Sequence, residues 1–292
     1  MSSSGSSGSR KVGEAQSGAR ADLSDPGTLR AFIQKHGLSA RKGLGQHFLC
    51  SSSAVRAIVS ATVAAGTRGV LEIGPGPGVL TGPLSEVAET IALELDDRMI
   101  EALRESAPRA RILKLDALEA DFESLLADLP APRGVVSNLP YYITGALLTR
   151  IASARHHFSR AVLMMQREVA QRITAPAGDS SRGSLSVFLQ AQFAISKVAS
   201  VPAGAFLPPP KVDSSVLLFE PNDTSDSPSL FEMVRVGFTQ PRKTLANNLA
   251  AFRGAGREVA ASAIVEMGLD ARIRPQELSV EQWRNLFVKL DE

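Results

Sequence analysis

From residue 70 onward the apolar positions cluster in short runs separated by longer stretches of helical spacing. The runs at 70–73, 90–93, 111–115, 134–137 and 161–165 predict buried strands, each too short and too continuous for an amphipathic helix. Between them, apolar residues three and four apart predict helices over 78–88, 96–105 and 118–129, with Asp96 or Asp97 as cap of the second. Strands alternating with helices predict βαβ units, and hence an α/β fold around a parallel sheet. Upstream, a short helix is expected from Pro26 through Leu29, Phe32 and Ile33 to Gly37. A basic, glycine-punctuated turn over 41–49 follows, then a helix with Val55, Ile58, Val59 and Val63 on one face. Downstream, residues 221–229 carry prolines, acids and serines and read as a linker, and 230–290 is helical in pattern. The expected organisation is a flexible, partly tag-like tail over 1–24, a main domain over 25–220, the linker, and a helical C-terminal domain over 230–292. That last domain is the expected contact with a large partner.

Composition narrows the classes. A chain of 292 residues suits one large domain with a small appendage, and no apolar run is long enough to span a membrane. One cysteine, Cys50, permits no intramolecular disulfide, so a reducing compartment and a cytoplasmic location are expected. Four histidines without ligand spacing give no metal signature. The net charge of +2 conceals a basic stretch over 133–211 and an acidic one over 66–128. A polyanion suits the first and a cationic ligand parts of the second, although ordinary surface scatter accounts equally well for both.

Candidate chemistry begins where the first strand runs into Gly74-Pro75-Gly76-Pro77-Gly78. Glycines at alternate positions let a backbone turn sharply and approach a ligand where a side chain would intrude. Glu94 closes the second strand about 20 residues later, where dinucleotide folds place a carboxylate on ribose hydroxyls. Asp116 follows at the end of the third strand, suited to an adenine donor. A nicotinamide dinucleotide wants G-x-G-x-x-G and a pyrophosphate at the helix start. Here the spacing is G-x-G-x-G, and Glu72 stands just before it. A carboxylate repels a pyrophosphate and attracts a sulfonium with an α-amino group, so S-adenosylmethionine is the better ligand. The second candidate is Asn138-Leu139-Pro140-Tyr141, after the strand at 134–137. An amide, a ring without an N–H and an aromatic face suit the gripping of a planar base by its exocyclic amine. In that arrangement the Asn138 Oδ1 and the Leu139 carbonyl accept the two N–H groups, Pro140 stiffens the loop, and Tyr141 and Phe206 stack on opposite faces of the base. The plain alternatives are structural: Asn138 satisfying loop backbone, Tyr141 and Phe206 filling core.

Taken together, Gly45-Gln46-His47-Phe48-Leu49, the glycine loop, Asn138-Leu139-Pro140-Tyr141 and the segment 206–214 (FLPPPKVDS) resemble the small-subunit rRNA adenine N6,N6-dimethyltransferases. The resemblance runs from about residue 28 to the C-terminus. It implies a class I, Rossmann-like methyltransferase fold: a seven-stranded, mostly parallel sheet plus a small helical domain. It also implies transfer of methyl groups to two adjacent adenosines near the 3′ end of 16S rRNA within a small-subunit precursor, by a chain expected to be monomeric and free of membranes. By position, His47 and Leu49 would line the methionine end of the cofactor, with Glu72, Gly74, Gly76 and Gly78 in its loop. Glu94 would hold the ribose, Asp116 the adenine amine, and Asn138 would border both cofactor and base. Arg41, Lys42, Lys211, Arg242 and Lys243 are the candidate RNA contacts. Two departures stand out: His47 where the family often has Asn, and Pro241 where it usually has a second basic residue. The rival readings are a large-subunit rRNA methyltransferase of the Erm type, a non-catalytic ribosome-assembly factor, and a nicotinamide oxidoreductase. The last is disfavoured by the loop spacing.

Overall fold

The computed structural model describes residues 21–39 and 46–291. Its centre is a seven-stranded sheet in the order β4-β3-β2-β5-β6-β9-β7. The strands are β2 (Gly69–Ile73), β3 (Glu89–Glu94), β4 (Arg111–Lys114), β5 (Arg133–Asn138), β6 (Arg160–Gln166), β7 (Phe193–Val201) and β9 (Ser214–Pro221). The first five of these run parallel, while β9 is antiparallel to both β6 and β7. This is the sheet the resemblance implies. A separate two-stranded ribbon joins β1 (Phe48–Leu49) to β8 (Phe206–Leu207).

The helices α1 (Pro26–Lys35), α2 (Ser52–Val63), α3 (Thr81–Val87), α4 (Asp97–Ser106), α5 (Phe122–Ala127), α6 (Thr144–Ser153), α7 (Arg167–Thr174) and α8 (Ser184–Gln192) cover the sheet. One core lies on each face. Leu71, Ile73, Val135 and Leu163 point to one, and Val70, Val136, Val162 and Met164 to the other. Side chains alternate across a strand, so a run apolar at every position signals burial on both faces.

The chain winds from β2 outward to β3 and β4, then returns to β5 on the other side of β2. The carboxyl ends of β2 and β5 therefore flank a topological switch point, where open α/β sheets hold ligands. Ile73 pairs with Ser137, and the Ser137 hydroxyl donates to the Ile73 carbonyl at 2.7 Å. The glycine loop and the Asn138 segment thus leave the sheet side by side.

A third core holds α9 (Pro228–Gly237), α10 (Leu245–Leu249), α11 (Gly256–Glu266) and α12 (Val280–Asp291) around fully buried Trp283. Val187 of α8 belongs to this core, and Phe188 meets Phe231 edge-on with ring centroids 4.9 Å apart. The connection is short and tied down. Arg284 of α12 donates to both Asp226 carboxylate oxygens at 2.8 and 2.7 Å and to the Ala191 carbonyl at 3.1 Å. Among the described residues no helix is long and apolar enough to cross a membrane.

Several boundaries differ from expectation. Leu23, assigned to the tail, is buried in the core with Leu29 and Phe32, so packing begins before residue 25. The connection is shorter than 221–229, because β9 runs to Pro221 and α9 starts at Pro228, with Ser227 as cap. The helix expected over 78–88 begins only at Thr81, since Gly74, Gly76 and Gly78 have φ of +69°, +57° and +94°. The helix expected over 118–129 is α5 alone, started by Asp121 accepting from the Ser124 N–H.

Candidate active site

At the carboxyl ends of β2, β3, β4 and β5 lies a cleft of ≈ 350 Å³, within the range of small-molecule sites. The glycine loop forms its floor and is held from three sides. The Gly74 N–H reaches the Leu93 carbonyl at 3.0 Å, the Gly76 N–H reaches Glu94 Oε2 at 3.1 Å, and the Ser106 hydroxyl donates to the Pro77 carbonyl at 2.8 Å. A Cβ on Gly74 would meet nothing within 4 Å, so its backbone borders open space, but its positive φ favours glycine. Gly78 is not brought to the cleft. A Cβ there would lie 2.2 Å from Ser106 Oγ, so this glycine lets the loop close onto α4.

Glu72 and Glu94 are the acidic groups on the inner wall of the cleft. Glu72 is 2% exposed, and burial, aided by the neighbouring Glu94 charge and opposed by the Thr81 hydroxyl, pushes its carboxyl from 4.5 up to about 8. Its Oε2 is buried without a hydrogen-bond partner. A buried acceptor left in that state calls for a donor, and a cation is the best one. Glu94 closes β3, as its sequence position predicts. Its Oε1 accepts from the Leu95 and Asp96 N–H groups at 2.8 and 2.9 Å. Burial raises its pKa, while these bonds and the one from Gly76 pull it down. Asp116 lies two residues past β4 and also lines the cleft. Its Oδ1 accepts from the Leu118 N–H at 2.8 Å, and its Oδ2 has no partner among the described residues.

The opposite wall comes from β1 and the segment after β5. Asn138 Nδ2 donates to the His47 carbonyl at 3.1 Å. A carbonyl only accepts, so this contact fixes the amide's orientation and leaves Oδ1 as the uncommitted acceptor. The Leu139 N–H is spent on the Met164 carbonyl at 2.9 Å, while its own carbonyl receives no donor among the described residues. His47 Nδ1 lies 2.8 Å from the Pro208 carbonyl, which requires the proton to be on Nδ1. The His47 and Tyr141 rings stand 5.6 Å apart, tilted by 30°. The Tyr141 hydroxyl meets Ser214 Oγ at 3.1 Å, and burial raises its pKa.

The cleft thus gathers His47, Leu49, Glu72, Gly74, Gly76, Glu94, Asp116, Asn138, Leu139, Pro140 and Tyr141 from scattered stretches of the chain. Phe206, expected as the second wall of a base slot, is not among them. It pairs with Leu49 across the β1–β8 ribbon, and both side chains turn into the same core, leaving Phe206 2% exposed. Lys211, Arg242 and Lys243 are exposed on loops, and Arg41 and Lys42 lie outside the described residues. Pro241 is exposed beside Arg242, and the loop is held by Asn248, which accepts from the Gln240 N–H and donates to the Gln240 carbonyl. The sequence reading missed three apolar side chains at the cleft: Leu95, Leu115 and Tyr142, exposed by 57%, 40% and 60%. Each is next to a residue it had singled out, which was the only available signal.

Known proteins resemble this chain in sequence and in fold. A profile described as ribosomal RNA adenine dimethylase matches residues 37–292. A ribosomal RNA small subunit methyltransferase A from Dehalococcoides mccartyi is 38% identical over 269 residues, covering 89% of this chain and 91% of that one. A crystallised dimethyladenosine transferase from Plasmodium falciparum superposes with a TM-score of 0.72 at 25% identity, covering 84% of this chain and 98% of the other. The 23S rRNA methyltransferase ErmE superposes with a TM-score of 0.65 at 27% identity, covering 84% and 100%.

Proposed function

The chain belongs to the ribosomal RNA adenine dimethylase family and is an rRNA adenine dimethyltransferase, and we propose that it uses S-adenosylmethionine to methylate N6 of two adjacent adenosines near the 3′ end of 16S rRNA in a small-subunit precursor. The observation that carries the substrate side is the pair of free acceptors at Asn138 Oδ1 and the Leu139 carbonyl, with the amide nitrogen already committed to His47. An adenine amine has two N–H donors and a lone pair delocalised into the ring. Accepting both N–H groups holds the nitrogen in one place and lets its lone pair face the methyl donor. Pro140 adds no competing N–H, and Tyr141, steadied by Ser214, offers a ring for the base to stack on. Stacking of this kind contributes roughly 1–3 kcal/mol per base, comparable to the cost of unstacking the target.

The cofactor side fits the chemistry of its donors. Glu72, with its unpartnered buried oxygen, suits a cationic group. Gly74 leaves room for a close ligand, Glu94 retains lone pairs for hydroxyls, and Asp116 Oδ2 is ready to accept from an amine. Leu95 and Leu115 offer apolar faces to a planar ring. When bound, S-adenosylmethionine supplies a methyl group already activated by the sulfonium, so the protein needs chiefly to position the amine and complement the changing charge. Lys211, Arg242 and Lys243 would contact phosphates.

The small-subunit substrate is favoured over the large-subunit one by the curated relatives, which carry the small-subunit name at 33–38% identity over most of the chain. Asn138→Ala is expected to cut methyl transfer to undermethylated small subunits by roughly 100-fold or more, with the fold retained and only about 1 kcal/mol of stability lost with the bond to the His47 carbonyl. Near-normal methylation by that variant would sink the assignment. Primer extension on both rRNAs from a methylation-deficient cell expressing the protein separates the two substrates.

A further inference from the structure

The rim of the cleft carries three exposed apolar side chains, and they fall into two groups. Leu95 and Leu115 follow β3 and β4, beside Glu94 and Asp116. Tyr142 stands apart from them, on the segment that carries Asn138. Its backbone is fixed by a tight turn: the Ile143 N–H donates to the Pro140 carbonyl at 3.2 Å, and the Thr144 hydroxyl reaches the same carbonyl at 3.0 Å. Tyr141 and Tyr142 are the two central residues of that turn. They are treated oppositely by the fold. Tyr141 is half-buried, its hydroxyl on Ser214 and its ring beside His47. Tyr142 is 60% exposed, with no hydrogen bond from its hydroxyl and no ring partner among the described residues.

A single exposed aromatic is ordinary on a protein surface. One held at the apex of a rigid turn, at the mouth of a cleft built for a base, is placed for a ligand. The geometry points to Tyr142 as a positioning residue that stacks on the unpaired RNA base beside the target adenine, a role that rests on the methyltransferase reading above. Consecutive rings, one inside the cleft and one at its mouth, match consecutive nucleotides of a strand whose target base has been drawn out of its stack. Stacking on the neighbour removes that base's alternative of closing over the vacated position. Every base has an aromatic face, so the contact adds affinity and register without sequence readout.

Steady-state methylation of undermethylated small subunits at saturating S-adenosylmethionine tests this with wild type, Tyr142→Ala and Tyr142→Phe. The alanine variant should raise KM for the subunits roughly 5- to 150-fold, the range expected for one lost stack. Phenylalanine should restore KM to within about twofold of wild type, because the ring and not the hydroxyl makes the contact. Calorimetric affinity for S-adenosylmethionine and the melting temperature should be unchanged in both variants. A normal KM for the alanine variant, equal impairment of both variants, or a parallel loss of cofactor affinity overturns the assignment. A wild-type protein that places no methyl on adenine N6 overturns the underlying reading as well, and is told apart by that control alone.

Discussion

Replacing Glu72 by glutamine tests the electrostatics of the cleft without reference to any substrate. In the folded protein the carboxyl is pushed up to about 8, chiefly by burial, against an ordinary value of 4.5. Between those two pH values the folded state retains a proton that the unfolded chain releases. The unfolded state therefore binds fewer protons, and stability falls as pH rises. The slope is about 1.4 kcal/mol per pH unit, so Glu72 alone should cost the protein about 2.7 kcal/mol more at pH 7.5 than at pH 5.5. Glutamine does not titrate. Its own burial cost, of order 1–3 kcal/mol if the amide lacks a partner, is independent of pH and cancels from the slope. Urea unfolding of both proteins without cofactor at pH 5.5, 6.5 and 7.5 gives the difference directly. Stability of Glu72→Gln relative to wild type should climb by about 2–3 kcal/mol across that range. Glu94, whose pKa is also raised by burial, is present in both proteins, so its own burial contribution cancels and only its smaller interaction with Glu72 enters the difference. A flat difference would show that Glu72 is ionised in the folded protein and would refute the buried-carboxyl argument. The same variant should bind S-adenosylmethionine more weakly, most clearly above pH 8.

Gly78→Ala should destabilise by about 2–5 kcal/mol in thermal or urea unfolding, combining a left-handed backbone at a non-glycine residue with a contact 2.2 Å from Ser106 Oγ. Arg284→Ala removes a two-pronged bridge to Asp226, which is largely buried, together with the bond to Ala191. It should cost about 2 kcal/mol, with hydrogen exchange accelerated at 222–227 and little changed in the glycine loop. If Lys211, Arg242 and Lys243 contact phosphates, replacing all three by glutamine should reduce the slope of log K against log salt for RNA binding by about 2 to 3. An unchanged slope places the RNA elsewhere.

What could be read from the chain follows from how local each determinant is. Glu94 is the last residue of a strand, a position set by the apolar run before it, and Asp116 lies just beyond the next one. Parallel strands bring such residues to one edge without any detail of packing. Asn138 was legible for the same reason. Phe206 was not, because its orientation depends on pairing with Leu49, a contact 157 positions away along the chain that no periodicity announces. Tyr142 went unnoticed because its exposure depends on the turn at 140–143. The apolar pattern predicts no element between Arg167 and Val201, where the structure has α7, α8 and β7. The two helices are short, and β7 is an edge strand with mostly exposed or half-buried positions, so neither periodic signal is strong. Gly78 shows a subtler difference, since the spacing that suggests ligand contact serves here to seat the loop on α4.

In the proposed function the Asn138 loop presents an adenine amine of small-subunit rRNA to a methyl donor bound on the glycine loop. The most direct measurement is transfer of labelled methyl from S-adenosylmethionine to undermethylated small subunits, followed by nuclease digestion and mass spectrometry of the nucleosides. Label should appear in N6,N6-dimethyladenosine at two adjacent positions near the 3′ end of 16S rRNA and be lost with Asn138→Ala. Label confined to 23S rRNA, to a base other than adenine, or undiminished in that variant would contradict the proposed function.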